Sequence, residues 1–300
     1  MLQKASSSAL MLVYLARKSS AFADGPADDN LSPHTSLELL LRYVDSGSRQ
    51  AISKFRFLRD ARRCLLGRLL ARYAALAQLD GSDLTWSSLS FDRSDRGKPY
   101  VVNLPSGISY DYSISHDSDL VILAASAGPR DKRTTVGVDV MRIAVPWEGG
   151  STDELVETMR DQLDPRELRQ IRSAAAQHAR LALALAFWTL KEAYIKAIGE
   201  GLHFDLRRLH FDLDGAQGAQ AIGSTSRLAG RAFVDRTEAV GWRFRLAKLA
   251  GRTAKENYWL ATAWHDADGK GEVELCTQKQ PEQVHEVSLE QLLARAEAVD

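Results

Sequence analysis

Helical and strand patterns that alternate along the chain predict an α/β or α+β fold for these 300 residues. Between residues 51 and 77, apolar side chains recur at three-, four- and seven-residue steps, which indicates a long helix in the first half. A second long helix is predicted over 177–198, ahead of several short strands. With 45% apolar and 26% charged residues, the composition is that of an ordinary globular protein with a buried core.

The first half is expected to run from residue 1 to 127. Residues 120–125 are almost wholly apolar, which predicts a strand buried on both faces. Residues 9–16 are read as a first strand, although the absence of acidic residues before Asp24 also suits a mitochondrial presequence. The remaining predicted elements are helices at 36–44 and 51–77 and strands at 86–91, 100–102 and 110–115.

The second half is expected to span 128–300, because the polar segment 128–134 contains Gly and Pro and reads as a joint. Asp164 followed by Pro165 predicts a helix start, and Gly199 predicts the end of the long helix. The other predicted elements are helices at 153–160 and 289–296 and strands at 136–140, 209–213, 231–234, 241–247 and 258–264.

Charge and cysteine content limit the possible partners and compartments. Lys plus Arg equals Asp plus Glu at 39 each, so the whole-chain charge predicts no affinity for nucleic acid or an anionic membrane. No segment has the roughly 20 apolar residues of a spanning helix. Cys64 and Cys276 show no metal or redox spacing, so free thiols in a reducing compartment are favoured over a disulfide. We expect a cytoplasmic protein, with the mitochondrion as the alternative.

The long helix of the second half carries two distinct faces. One face is an apolar stripe that is explained by packing on a sheet. On the other, Trp188, Glu192 and Lys196 follow each other at four-residue steps and therefore project from the same side. Glu192 and Lys196 suit either a functional pair or an ordinary surface ion pair, and spacing alone leaves both open.

Asp139 is predicted at the end of an otherwise apolar strand, where a sheet edge meets solvent. It is either a site residue or a cap for the next turn. Together with Glu192 it offers oxygen ligands that suit a hard cation such as Mg²⁺.

Two further polar segments are candidates for binding. Arg93, Arg96 and Lys98 surround Gly97 in a turn, which is either a phosphate clamp or an ordinary basic turn. His116 closes the strand segment Ser-Ile-Ser-His, and a pH switch, a phosphate donor and a structural residue all remain open for it.

The order of these segments resembles a known family. GKP, SISH, GVDV and FWTLKEAYIKAIGEGL follow one another in the order that is typical of the surfactin-synthetase-type phosphopantetheinyl transferases. The pattern W-x-x-K-E-[AS]-x-x-K-x-x-G is matched at all six fixed positions: Trp188, Lys191, Glu192, Ala193, Lys196 and Gly199. The segments 57–70 and 201–213 most resemble the eukaryotic members related to aminoadipate-semialdehyde dehydrogenase phosphopantetheinyl transferase, and the resemblance covers about 35–300.

The resemblance implies two similar α/β halves related by a pseudo-twofold, the 4′-phosphopantetheinyl transferase fold, with coenzyme A in the cleft between them. It implies a Mg²⁺-dependent enzyme that transfers the 4′-phosphopantetheine group of coenzyme A to a serine of an apo acyl or peptidyl carrier protein, leaving adenosine 3′,5′-bisphosphate. Because both halves lie in one chain, it also implies a monomer. A catalytically inactive coenzyme A or carrier-protein binding module, or a purely structural α/β protein, are the competing functions.

The resemblance also implies a role for each candidate residue. Glu192 corresponds to the catalytic base and a metal ligand, Asp139 to a metal ligand, and Lys196 to a phosphate contact. Met141 stands where bacterial members often have a second acid. Asp117 is therefore either a further metal ligand or a turn residue that bonds to the backbone near Asp119. The implied coenzyme A contacts are Arg93, Arg96, Gly97, Lys98, Ser113, Ile114, Ser115, His116, Asp139, Glu192, Lys196 and, from a loosely aligned helix, Arg49.

Overall fold

The computed structural model describes residues 10–17, 34–213, 229–253, 256–276 and 284–298. Its helices are α1 His34–Leu41, α2 Ser46–Ser53, α3 Leu58–Gln78, α4 Thr152–Thr158, α5 Pro165–Ser173, α6 Gln177–Ile198 and α7 Leu289–Glu297. Its strands are β1 Leu10–Arg17, β2 Phe91–Arg93, β3 Pro99–Val101, β4 Ile108–Asp117, β5 Leu120–Pro129, β6 Val136–Arg142, β7 Leu209–Leu213, β8 Ala229–Val234, β9 Thr237–Glu238, β10 Val240–Ala250, β11 Asn257–Lys270, β12 Glu272–Cys276 and β13 Val284–Glu286. The predicted mixed α/β architecture is confirmed.

The first sheet has the strand order β13-β1-β5-β4. β5 is antiparallel to both β1 and β4, whereas β13 is parallel to β1. Helix α3 covers one face of this sheet, where its buried Leu65 and Leu69 join Val121 and Leu123 of β5 in one apolar core. The C-terminal helix α7 adds Leu292 to the same core, so the end of the chain packs against the first half.

The second sheet has the order β6-β11-β10-β12-β8-β7, with β9 paired to β8. Helix α6 covers one face of it, and Phe187 and Leu190 are completely buried in the core between them. β6, which carries Asp139, lies at one edge of this sheet and, among the strands given above, pairs only with β11.

A third apolar core joins the two sheets. It contains Leu120 and Ile122 of β5 together with Val138 and Val140 of β6. β5 is therefore covered by α3 on one face and by the second sheet on the other, which confirms the prediction that it is buried on both faces. No helix among the residues described above is long and apolar enough to cross a membrane.

Several local predictions are confirmed closely. The helix at 177–198 has the predicted limits and ends at Gly199, whose φ of 70° is the left-handed conformation that glycine adopts readily. Asp164 is the N-cap of α5 and Pro165 its first residue, as expected. The strand read at 9–16 is β1, which pairs along its whole length with β5.

Other local predictions are wrong. The single helix expected over 51–77 is two helices, α2 and α3, because Phe57 is extended (φ −106°, ψ 129°) and starts a new helix. The strand expected over 86–91 is reduced to its last residue. There Trp86 lies in a turn, where it is buried and donates its indole N–H to the Tyr43 carbonyl. Tertiary packing of one large side chain replaces the local strand preference.

Candidate functional site

Strand β4 has two functional faces because side chains alternate along a strand. Tyr112, Ile114 and His116 point into a cavity beneath α3. Ser113 and Ser115 point the other way, to β6 of the second sheet. The predicted segment 113–116 therefore divides between two environments.

On the β6 side, polar side chains of β4 form a ladder across the two sheet edges. Asp111 Oδ2 accepts a hydrogen bond from Val136 N (2.7 Å), and Ser113 Oγ accepts one from Val138 N (3.2 Å). An edge strand leaves every second N–H without a partner in its own sheet, and these side chains supply the acceptors. The ladder fixes the register of the two halves at the site.

Asp139 lies within this ladder and is buried, with 6% of its surface exposed. Its Oδ1 accepts hydrogen bonds from Ser115 Oγ (2.7 Å) and from Lys196 Nζ (2.6 Å). Lys196 Nζ also donates to Ser115 Oγ at 3.0 Å. Three residues from β4, β6 and α6 thus meet at one point: Ser115, Asp139 and Lys196.

Helix α6 places Glu192 beside this cluster. Along α6, Trp188, Glu192 and Lys196 are the half-buried positions on a helix that is otherwise buried through this stretch. The helix approaches β6 closely at Gly137, where a Cβ atom would lie 2.0 Å from the Ala193 carbonyl oxygen. Only glycine allows that distance, so Gly137 lets the face of α6 that carries Glu192 and Lys196 lie next to Asp139.

The electrostatics of Glu192 suit a proton acceptor. Burial raises the pKa of its carboxyl group, the nearby Asp139 carboxylate raises it further, and Lys196 partly opposes both effects. Within the described segments Glu192 makes no side-chain hydrogen bond. A half-buried carboxylate with a raised pKa is a stronger base than an ordinary surface glutamate.

The donor set suits a hard divalent cation. Two carboxylates close enough to perturb each other repel, and a cation between them would relieve that repulsion. No cluster of three or more His, Cys, Asp or Glu side chains within the described ranges could hold a metal ion. Two carboxylates with water and substrate oxygens are nevertheless a usual Mg²⁺ environment.

Asp117 is not brought to this pair. It ends β4 at a two-residue hairpin, where its carboxylate accepts hydrogen bonds from Arg142 N (2.5 Å) and Ser118 Oγ (3.0 Å). Two residues along a strand span about 6.6 Å, so Asp117 occupies the next rung beyond Ser115 and faces the far end of β6. Its geometry is that of a turn and ladder residue.

The cavity on the other face of β4 has a volume of about 430 Å³. α2 and α3, the β2–β3 hairpin and β4 contribute its walls. Four arginines line it: Arg63, Arg68, Arg72 and Arg93. An apolar floor with several guanidinium groups is suited to a ligand that has both a ring and phosphate groups.

Three of these arginines lie on α3 and were not singled out from the sequence, because arginines on a helix usually face solvent. Arg72 is buried and donates to the Trp86 and Leu89 carbonyls and to Asp45, so its role is structural. Arg68 donates to Ser48 Oγ (2.7 Å), while its buried Nε–H has no hydrogen-bond partner in the part of the chain that the structure describes. A buried donor without an acceptor is costly, and a bound anion would satisfy it.

The basic residues of the turn 93–99 have different surroundings: Arg93 lines the cavity, whereas Arg96 and Lys98 bond to other parts of the protein. Arg93 lines the cavity, and one of its N–H groups donates to the Gly97 carbonyl at 2.7 Å. Gly97 has a φ of 86°, which the turn requires. Arg96 pairs with Glu200 at 2.7 Å, and Lys98 is bonded inside the protein to Asp111 and Ala197.

The remaining predicted contacts lie at different distances from the cavity. His116 lines it, and burial together with the charges of Arg63 and Lys196 lowers the pKa of the imidazole, so it is mainly neutral at pH 7. Arg49 is exposed, donates to the Val44 carbonyl (3.1 Å) and is not part of the cavity wall. Cys64 is a free thiol on that wall, whereas the Cys276 side chain lies outside the described residues.

Comparison with known proteins agrees with this geometry. The profile of the N-terminal domain of 4′-phosphopantetheinyl transferases matches residues 32–128, and that of the 4′-phosphopantetheinyl transferase superfamily matches residues 135–263. The chain is 31% identical over 233 residues to the human L-aminoadipate-semialdehyde dehydrogenase-phosphopantetheinyl transferase, covering 77% of this chain and 70% of the relative. It is 30% identical to a phosphopantetheinyl transferase of Thraustochytrium sp. (79% and 77% covered) and 29% identical to a 4′-phosphopantetheinyl transferase of Bacillus pumilus (60% and 68% covered).

The arginine-lined cavity lies within the first matched segment, and Asp139, Glu192 and Lys196 lie within the second. The chain belongs to the 4′-phosphopantetheinyl transferase family.

Proposed function

We propose that this enzyme transfers phosphopantetheine in a Mg²⁺-dependent reaction in which Glu192, Asp139 and Lys196 carry the chemistry. The observation that supports this most strongly is the meeting of Asp139, Lys196 and Ser115 at one point, beside a carboxylate with a raised pKa. The arginine-lined cavity opens on the opposite face of the same strand.

Coenzyme A is proposed to bind with its phosphates toward the basic wall of the cavity. Arg93 and His116, expected from the sequence, line that wall, and the structure adds Arg63 and Arg68. Charge-assisted hydrogen bonds from such groups are each worth about 1.5–3 kcal/mol. Arg96 and Arg49 are weaker candidates, because the first pairs with Glu200 and the second lies outside the cavity wall.

In the proposed transfer, the carrier serine oxygen forms a bond to the phosphorus that bears the pantetheine arm. The bond from that phosphorus to the oxygen of adenosine 3′,5′-bisphosphate breaks, and the bisphosphate leaves. Glu192 accepts the proton of the serine hydroxyl, for which its raised pKa suits it. The Lys196 ammonium offsets negative charge that accumulates on the attacked phosphoryl oxygens.

Mg²⁺ is proposed to be held by Asp139 and Glu192, and when bound it would offset charge on the pyrophosphate. Asp117 is left out of this set because its carboxylate is bonded at the hairpin. Binding can be measured without turnover, as the Mg²⁺-dependent rise in melting temperature. That rise should disappear in Asp139→Asn and persist in Asp117→Asn.

The finer identity of the enzyme is also a proposal. The relatives named for aminoadipate-semialdehyde dehydrogenase support a carrier domain of lysine metabolism as one substrate. The match to a bacterial enzyme supports the surfactin-synthetase-type subgroup. Since one chain supplies both sides of the cleft, we propose a monomer, and we retain the cytoplasm as its expected location.

The decisive experiment incubates the protein with coenzyme A, Mg²⁺ and a panel of apo carrier proteins, including the aminoadipate-pathway domain. Intact mass should show the gain of one phosphopantetheine group per carrier, with matching release of adenosine 3′,5′-bisphosphate. Neither product should form with EDTA or with a carrier whose acceptor serine is replaced by alanine. Absence of both products with every carrier would reject the proposed function.

A further inference from the structure

Lys98 reaches from the β2–β3 hairpin of the first half to the second half of the molecule. Its Nζ donates hydrogen bonds to Asp111 Oδ2 (2.6 Å), to the Ala197 carbonyl (2.7 Å) and to the Val136 carbonyl (3.4 Å). A lysine ammonium has three N–H donors. All three are therefore directed to protein acceptors, and none is directed to the cavity.

The three acceptors belong to the elements that carry the acidic cluster. Ala197 follows Lys196 on α6, and Val136 begins β6 three residues before Asp139. Asp111 is on β4, has 4% of its surface exposed, and also accepts from Val136 N at 2.7 Å. Lys98 and Asp111 pair within the first half, and their hydrogen bonds to Ala197 and Val136 join this pair to α6 and β6 of the second half.

The bond to Ala197 closes the C-terminal end of α6. Helices leave their last carbonyls without intrahelical partners, and a cation there also favours the helix dipole. Gly199 N and Glu200 N both donate to the Ile195 carbonyl, which leaves the Ala197 carbonyl to Lys98. The Lys98 stem packs over Gly199, where a Cβ would lie 3.1 Å from Lys98 Cδ.

We propose that Lys98 and Asp111 are positioning residues for the transfer reaction rather than contacts of the coenzyme phosphates. They hold α6 and β6 against β4, so that Glu192 and Lys196 face the substrate from a fixed position. This inference rests on the proposed function, and it differs from the sequence-based expectation that Lys98 binds phosphate.

The alternative would require Lys98 to leave Asp111. That buried carboxylate would then keep only the Val136 N–H and the exposed Arg133 guanidinium, 4.0 Å away, and leaving a buried charge without its close partner is strongly destabilising. Arg68 has no such competition, because its buried Nε–H lacks a partner among the described residues. Replacement of Arg68 should therefore reduce the preference for coenzyme A over dephospho-coenzyme A, whereas replacement of Lys98 should not.

The test compares coenzyme A with dephospho-coenzyme A, which lacks the 3′-phosphate, in Lys98→Met and Arg68→Met. A misplacement of about 1 Å can lower a rate 10²-fold. Lys98→Met should therefore lower kcat for both substrates by the same factor and leave their kcat/KM ratio and the Kd of coenzyme A unchanged. Arg68→Met should instead raise the KM for coenzyme A and so reduce the ratio of kcat/KM for coenzyme A to kcat/KM for dephospho-coenzyme A. Lys270→Met, which removes an exposed lysine, is the charge-matched control and should match wild type.

The double variant Lys98→Met/Asp111→Asn separates positioning from folding, because it leaves no unpaired buried charge. Its melting temperature should recover toward wild type while kcat stays low, since the carbonyl of Ala197 still lacks its donor. If Lys98→Met keeps its kcat but prefers coenzyme A over dephospho-coenzyme A less than wild type does, the proposal is overturned and Lys98 contacts the phosphate directly. Wild-type kcat in the folded double variant would overturn it as well. Failure of the proposed function is distinct, because wild-type protein would then give no transfer at all.

Discussion

Lys191 and Glu167 form an ion pair in which neither side chain is exposed, with Lys191 Nζ 2.9 Å from Glu167 Oε2. Lys191 also donates to the Leu206 and Leu209 carbonyls, and Glu167 accepts from Phe211 N at 3.0 Å. Burial lowers the pKa of Lys191 and raises that of Glu167, each opposed by the partner charge. The lysine next to the proposed base in sequence is thus an anchor that ties α6 to α5 and β7.

Replacing Lys191 alone should therefore destabilise the fold. Lys191→Met leaves the Glu167 carboxylate buried without its cation, a change that costs about 3–5 kcal/mol. Chemical denaturation should report this loss. The double variant Glu167→Gln/Lys191→Met keeps an acceptor for Phe211 N without a charge, and it should recover much of the stability and the wild-type kcat. A folded double variant without activity would instead implicate Lys191 in the chemistry.

Glu192→Gln should lose activity and gain stability. Loss of a general base typically lowers the rate about 10²–10⁴-fold. The folded-state pKa of Glu192 lies above its ordinary value of 4.5, so the native protein loses stability as pH rises through the folded-state pKa. Glutamine removes that penalty, and the variant should melt at a higher temperature than wild type at neutral pH.

The stability difference should close as the pH falls below 4.5, where glutamate is protonated in both states. Melting curves of both proteins across this range provide the measurement. A lower melting temperature of Glu192→Gln than of wild type at pH 7 would contradict the raised pKa. Wild-type turnover in this variant would remove Glu192 from the mechanism.

Gly137→Ala should disrupt the site without touching any charged group. The added Cβ would lie 2.0 Å from the Ala193 carbonyl oxygen and 2.4 Å from Ala197 N, so α6 must move away from β6. We expect lower stability and a large loss of kcat, because Glu192 and Lys196 move with the helix. Gly47→Ala is a control for the stability measurement alone, because its Cβ would meet only Asp45 Oδ1 at 3.4 Å but Gly47 lines the proposed coenzyme cavity. Unchanged kcat in Gly137→Ala would show that the spacing is not critical.

The sequence pattern was sufficient to predict those elements whose limits depend on neighbouring residues along the chain. The limits of α6 follow from its apolar stripe and from Gly199, and Asp139, Glu192 and Lys196 were placed by spacing and resemblance. The interruption at Phe57 was not predictable, since residues 51–58 contain no Gly or Pro that would mark the end of a helix. β13 pairs with β1 across more than 260 residues, and three residues carry too little pattern to reveal it.

The same limit separates the arginines and lysines of the site. From the sequence, Arg68 and Arg72 are equivalent helix positions. In the structure Arg72 donates to carbonyls, whereas the Arg68 Nε–H is buried without a partner among the described residues. Lys98 reads as a phosphate contact because its turn is basic. Its bonds to Asp111 and Ala197 depend on contacts across the two halves, which no local pattern contains.

Arg93→Met should reduce discrimination between coenzyme A and dephospho-coenzyme A. Arg93 lines the cavity and is exposed, so a lost phosphate contact would not leave a buried charge behind. With about 1.5–3 kcal/mol per charge-assisted hydrogen bond, the kcat/KM ratio should fall roughly tenfold or more. Arg207→Met, on an exposed arginine paired with Asp205, provides the control. Unchanged discrimination in Arg93→Met would place the 3′-phosphate elsewhere.

Asp117→Asn distinguishes a metal ligand from a hairpin residue. The Asp117 carboxylate accepts from Arg142 N and Ser118 Oγ, and an asparagine side-chain oxygen can accept at least one of these bonds. The variant should therefore keep its kcat and the Mg²⁺ concentration for half-maximal activity, with a small loss of stability. Asp139→Asn, in contrast, should raise the Mg²⁺ requirement steeply, because it removes a full charge from the proposed metal site. A comparable rise in Asp117→Asn would show that the hairpin rearranges to bring Asp117 to the metal.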